Sequence, residues 1–227
     1  MKATAKRTLT PRAAVLATAA AVALIGSTGA ATAFADDDAP APHSSVQLPQ
    51  NQRHLDDTAK DRAQVKADKI SQSEATTKAL KAAPGTATSA ELDNADRNGS
   101  LIWEVDVQGK DHKNHDITID AGNGKVLNKH TDRDDDAAQD AAETQAHLKA
   151  DKTGHDKATA KALKTVPGTV TAYSLDDNDR DGSTVWEIDV LGKDHKNHDI
   201  TIDAANGKVQ SQHIDHDDQD DNDGDDD

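Results

Sequence analysis

LIWEVDV (residues 101–107) and TVWEIDV (residues 184–190) decide how this chain folds. Trp103, Val105 and Val107 alternate with Glu104 and Asp106, and Trp186, Ile188 and Val190 alternate with Glu187 and Asp189. Successive strand side chains point to opposite sides, so this period of two predicts a half-exposed antiparallel strand. The pattern continues downstream. Ile117 and Ile119 form a further strand, and Asn123-Gly124 turns the chain into a short strand through Val126. Ile200, Ile202, Asn206-Gly207 and Val209 repeat the arrangement; Asn-Gly is a favoured hairpin turn.

Upstream of each Trp segment the period changes from two to that of a helix. Ser71 and Glu74 form a capping box, and Ala75, Ala79, Leu80 and Ala83 follow at helical spacing until Pro84-Gly85 stops the run. Ala158, Ala162, Leu163 and Val166 lead likewise to Pro167-Gly168. Strands are expected at Thr86–Leu92 and Thr169–Leu175. The fold class is therefore α+β: two tandem small modules, each one helix packed on an antiparallel sheet of three or four strands.

The two halves are a duplication with an offset of 83 residues, and KDHKNHDITIDA occurs letter for letter at 110–121 and 193–204. The expected boundaries are a signal peptide at 1–35, a disordered leader at 36–58, module one at 59–128, an acidic linker at 129–141, module two at 142–211 and a disordered acidic tail at 212–227. The signal peptide is read from Lys2, Lys6, Arg7 and Arg12, an apolar run from Ala13 to Ile25, and Ala33-Phe34-Ala35 as the cleavage pattern. Cleavage near Ala35 implies export to the cell envelope or beyond, with no membrane insertion afterwards.

Composition narrows the function. The formal charge is −16, and losing residues 1–35 removes four cations and no acid, so nucleic acid is an unsuitable partner. Aromatic residues make up 2% of the chain and cysteine is absent, which predicts two small cores, one around each Trp, without disulfides.

The helix ending in KAAPG or KTVPG, the WEVDV or WEIDV strand, and the ITIDAGNGKV or ITIDAANGKV hairpin together resemble the PepSY domain family. The resemblance covers about 70–128 and 153–211. It implies a cystatin-like fold and an extracytoplasmic location. It also implies kinship with the propeptides of secreted zinc metallopeptidases, which hold the peptidase inactive. This chain carries no H-E-x-x-H helix and so resembles the free-standing kind.

Two motifs are candidate sites. His112 and His115, like His195 and His198, lie three apart among carboxylates and could offer nitrogens to zinc or copper, but the favoured reading is a solvated turn between strands. Asp177, Asp179 and Asp181 before Gly182 reproduce the start of a calcium loop. They lack its closing Glu, since Ile188 stands there, and Asp-Gly alone favours a turn. No cofactor is expected other than that calcium, and no nucleophile stands at fixed spacing from a histidine. The expected function is a secreted, non-enzymatic protein that binds another extracellular protein, a secreted metallopeptidase being the leading candidate. The alternative is an acidic protein that binds or buffers extracellular cations.

Overall fold

The computed structural model describes residues 43–49, 55, 57–95, 99–133 and 135–214. The expected signal peptide, most of the leader and residues 215–227 lie outside the described residues. In chain order the elements are α1 (Asp57–Ala67), α2 (Gln72–Ala82), β1 (Gly85–Ala95), β2 (Ser100–Gly109), β3 (Asn114–Asp120) and β4 (Val126–Thr131). Then come α3 (Ala137–Ala150), α4 (His155–Thr165), β5 (Gly168–Asp177), β6 (Thr184–Gly192), β7 (Asn197–Asp203) and β8 (Val209–Ile214). Each module thus has two helices where the sequence pattern showed one. α1 and α3 lack the clean apolar stripe that marks α2 and α4, because they sit at strand ends and make polar contacts.

The expected strands are present, and their pairing goes further than two separate meanders. β1 pairs antiparallel with β5, so all eight strands form one sheet in the order β4-β3-β2-β1-β5-β6-β7-β8. The register sets Ala90 opposite Tyr173, with Ser89 opposite Ser174 and Glu91 opposite Ala172. Ala90 and Tyr173 are the same position in the two copies, so the junction has the register of a local twofold axis, as between identical subunits. A small residue meets a large one at that axis.

One side of the sheet carries the Trp residues and packs on α2 and α4. Ala75, Ala79 and Ala83 recur every four residues and let α2 lie close on Trp103, Val105 and Val107. Ala158, Ala162 and Val166 do the same for α4 over Trp186, Ile188 and Val190. These residues form one continuous core through both modules rather than the two expected, because the β1–β5 junction leaves no solvent between them. Tyr173 belongs to both halves: it stacks on His155 at 5.4 Å, meets Trp186 edge-on at 5.8 Å, and its hydroxyl hydrogen bonds to Thr76 Oγ1 of α2 at 3.1 Å.

Local signals account for the boundaries. Ser71 Oγ accepts from Glu74 N and Glu74 Oε2 accepts from Ser71 N, completing the capping box of α2. In the second module Gly154 stands at the cap position, and Asp151 accepts from the Thr153 and Gly154 amides instead. Proline ends each helix, and the glycine after it is required by close strand pairing: a Cβ on Gly85 would lie 2.1 Å from the Gln108 carbonyl oxygen, and one on Gly168 would lie 2.2 Å from that of Leu191.

Two boundaries move from their expected places. β4 and α3 take up most of 129–141, so the connection between modules is only residues 132–136, and β8 extends into the expected tail. Part of the expected leader is also ordered. Leu48 N donates to the Gly99 carbonyl at 2.8 Å, Leu101 N donates to that of Val46 at 3.0 Å, and Leu48 is buried. Asp120 anchors the same strap, accepting from Ser44 Oγ, Ser45 N and Ser45 Oγ, each at 2.9 Å. The leader's polar composition hid these specific partners.

The strap explains a difference between the copies. A Cβ on Gly122 would lie 2.3 Å from Ser45 Oγ and 2.6 Å from Val46 Cγ2, and the second module has Ala205 at that position. Gly122→Ala should therefore displace residues 44–48 and expose Leu48, at a cost of about 2 kcal/mol for that one side chain. Amide hydrogen exchange at Val46–Leu48 should rise in the variant while that of β6 stays unchanged. Unchanged protection of the strap would contradict this account.

Candidate functional site: the carboxylate face of the sheet

The side of the sheet away from the Trp residues is built from the polar members of the same alternating strands. Glu91 of β1 lies directly opposite Glu104 of β2, and Asp106 of β2 lies opposite Asp116 of β3. In the second module Asp189 of β6 lies opposite Asp199 of β7, and Glu187 is on the same side. Like charges in direct cross-strand register oppose folding. The core side of these strands nevertheless fixes the register, since slipping one residue would turn Trp103 and Trp186 outward.

This crowding shows in the protonation of the face. Desolvation by the surrounding protein, then the charges of Asp93, Glu91 and Asp106, push Glu104 up to about 7 even though its tip is exposed. Asp116 is raised by desolvation and by Asp106, Asp132 and Glu104, and Glu91 by desolvation and then Asp93. Ser89 Oγ donates to Asp106 at 2.7 Å. At one margin, ligand atoms of Asp116, His130 and Asp132 lie within 4.8 Å of one another.

α1 and α3 cross the same face at its two ends, each reaching the other module. Asn197 Nδ2 of β7 donates to Asp61 of α1 at 2.6 Å, and Asn114 Nδ2 of β3 donates to Thr144 Oγ1 of α3 at 3.5 Å. These two contacts are related by the offset of 83, so the local twofold axis extends to the helices. Lysines collect on the opposite side of the molecule: Lys78 and Lys81 of α2 and Lys157, Lys161 and Lys164 of α4 are all exposed. The net charge of the chain thus conceals a separation into an acidic sheet face and a basic helical face.

The first part of KDHKNHD turns the chain between β2 and β3 and again between β6 and β7, with Gly109 N donating to the Lys113 carbonyl at 2.8 Å, and its last three residues begin β3 and β7, so that Asp116 and Asp199 reach the carboxylate face. His112 and His195 occupy its left-handed position, with φ of 63° and 64°. His115 is buried, held by Thr131 Oγ1 at 2.8 Å and Asp111 at 3.0 Å, and His198 by Asp194 at 3.1 Å. These hydrogen bonds hold the Asp111 and Asp194 carboxyls below their usual range. Gln145 Nε2 donates to His112 Nδ1 at 2.6 Å, so the histidines of the first turn are engaged separately.

Asp177, Asp179 and Asp181 are not brought together as a ligand group among the described residues. Asp177, at the end of β5, faces His147 of α3 at 3.2 Å. Asp179 and Asp181 lie in the β5–β6 turn, which Gly182 N closes by donating to the Asn178 carbonyl at 2.7 Å. Asp181 accepts from Ser183 N at 3.0 Å, and Ser183, through its side chain first and then this amide, holds the carboxyl below the ordinary value.

Two depressions of the surface are lined in part by lysines. One of about 400 Å³ is lined by Lys152, Lys157, Lys161 and Lys164, and another of about 370 Å³ by Gln108, Lys110, His112 and Lys149. Neither is lined by an acid. Among the described residues no helix is long and apolar enough to cross a membrane.

The helix, Pro-Gly stop, Trp strand and Asp-x-x-x-Gly hairpin occur twice in one topology, and the family model described as "Peptidase propeptide and YPEB domain" matches residues 69–130 and 154–213. The chain belongs to the PepSY family. Both PepSY matches begin near the loop before α2 or α4, so α1 and α3 lie outside them. The uncharacterized protein YkoJ of Bacillus subtilis strain 168 is similar, 28% identical over 153 residues, covering 67% of this chain and 79% of YkoJ. A solved structure, a candidate lipoprotein of Clostridium difficile 630, aligns with 24% identity and a TM-score of 0.40 over 65% of this chain and 95% of its own.

The carboxylate face gives stability an inverted pH response. Glu104, Glu91 and Asp116 hold protons more tightly when folded than when unfolded, so their contribution falls as pH rises above the ordinary carboxylate range, for Glu104 through about 7. Asp120 acts in the opposite sense. Burial works against its charge, but the Ser45 and Gly122 amides and the serine hydroxyls lower its pKa, so its contribution disappears only at more acid pH. The melting temperature should be higher at about pH 5 than at about pH 8, and the double variant Glu104→Gln, Asp116→Asn should lose most of that difference. An equal difference in the variant would remove these residues as its source.

Proposed function

We propose that this PepSY protein is an exported, non-enzymatic binding protein whose carboxylate face receives a cationic surface of another extracellular protein. The observation that carries this reading is the direct opposition of Glu91 to Glu104, Asp106 to Asp116 and Asp189 to Asp199 on one side of one sheet. Such a face gains most from a partner that supplies positive charge, because the cost of gathering the carboxylates is already met by the core on the other side. The family description points to peptidases as the leading partner class. Export is supported by the basic, apolar and small-residue segments at 1–35.

A second reading has one observation of its own. Asp116, His130 and Asp132 present ligand atoms within 4.8 Å of one another, and inorganic cations could occupy this margin of the face.

The test uses residues 36–227 immobilised and exposed to culture medium of the source organism, beside the variant Glu91→Gln, Glu104→Gln, Asp106→Asn, Asp116→Asn. The wild type should retain at least one basic protein that elutes with salt, and the variant should retain it at least tenfold less. Peptidase assays on the retained protein then decide the partner class. Equal retention by both forms would overturn the assignment to this face. Retention of no protein, with saturable binding of a divalent cation that His130→Gln abolishes, would favour the second reading.

A further inference from the structure

The duplication provides an internal comparison where α3 meets the end of β5. Under the offset of 83, Lys60, Gln64 and Asn94 of the first module correspond to Glu143, His147 and Asp177 of the second. In the first module these residues make ordinary structural contacts. Gln64 Nε2 donates to Asn94 Oδ1 at 3.1 Å, and Lys60 turns to Asp93 at 3.1 Å. In the second module all three positions carry residue types able to ligate a metal, and one ligand atom from each lies within 4.8 Å of the others.

Each part of the arrangement has a structural cause. Glu143 and His147 are four apart on α3 and so project from the same side of the helix. Asp177 is brought beneath them by the end of β5, with its carboxylate 3.2 Å from His147 Nε2. The His147 side chain is only 13% exposed, which fixes the imidazole, whereas Asp177 is 50% exposed and Glu143 is open to solvent. The group therefore has one rigid nitrogen ligand and an open carboxylate side.

We propose that Glu143, His147 and Asp177 bind one divalent transition metal ion of the zinc class. Three protein ligands leave a position of a four-coordinate ion for water or a ligand atom from another molecule. The imidazole selects against calcium and magnesium, which take oxygen ligands. The ion would join α3 to β5 beside the module junction. It would use Asp177 with two helical residues rather than with Asp179 and Asp181.

The test measures zinc binding to residues 36–227 by titration calorimetry and records the ligand-field spectrum of the cobalt-loaded protein. The decisive variant is His147→Gln with Asp177→Asn, which restores the first module's hydrogen-bonded pair and so preserves the fold. It should weaken the tightest zinc equivalent at least tenfold and abolish the cobalt bands. Glu143→Gln should weaken the same equivalent without changing the metal-free melting temperature. His130→Gln, at the margin of the acidic face, should leave it intact. Unchanged tight binding in the His147→Gln, Asp177→Asn variant, loss caused by His130→Gln instead, or displacement of the ion by equimolar calcium would each overturn the site.

Discussion

The antiparallel pairing of β1 with β5 is the interaction on which the rest of this structure depends. Alone, each module would expose β1 or β5 as an open edge, and a unit of about 70 residues buries only roughly 60% of its unfolded surface. Joining the two edges removes both, merges the Trp103 and Trp186 cores, and gives Tyr173 a place beneath both helical layers. No cysteine is available to stabilise either module, so the partner module takes that role. The outer edges remain at β4 and β8, each with a register shift beside it that bends the pairing.

The same junction creates the functional surface. A single module would present a few acids on a small sheet, whereas the fused sheet sets Glu104, Asp106 and Asp116 on one side of the axis and Glu187, Asp189 and Asp199 on the other. α1 and α3 frame this surface because each crosses to the opposite module, as the Asp61–Asn197 and Thr144–Asn114 contacts show. Duplication thus produced an internal pseudo-dimer. Its copies were then free to diverge, and they did so where symmetry places unlike demands: Ala90 against Tyr173, and Gly122 under the strap against Ala205 without one.

The strands, α2, α4 and their Pro-Gly stops were legible because alternation, helical spacing and steric stops are local properties. The KDHKNHD turn was legible for the same reason: a left-handed residue and a closing hydrogen bond lie within a few positions. The β1–β5 junction was not, since an edge strand carries no local mark of the strand that will cover it. α1 and α3 were missed because their contacts are polar and distant in sequence, as with Asp61 and Asn197. The carboxylate face was half visible: Glu104 and Asp106 were read as the outward side of a strand, but Glu91 and Asp116 join them only through cross-strand register. The grouping of Asp177 with His147 likewise required the fold, although the offset of 83 already aligned it with Asn94 and Gln64.

Amide hydrogen exchange across the module junction tests the central claim most directly. Ladder amides of β1 and β5 between Ser89 and Glu91 and between Ala172 and Ser174 should be protected to the same degree as those of β2 and β6, and should lose protection together with them as denaturant is added. Rapid exchange at both segments while β2 and β6 remain protected would mean that the modules fold as separate sheets, and would contradict the fused sheet and the continuous acidic face built on it.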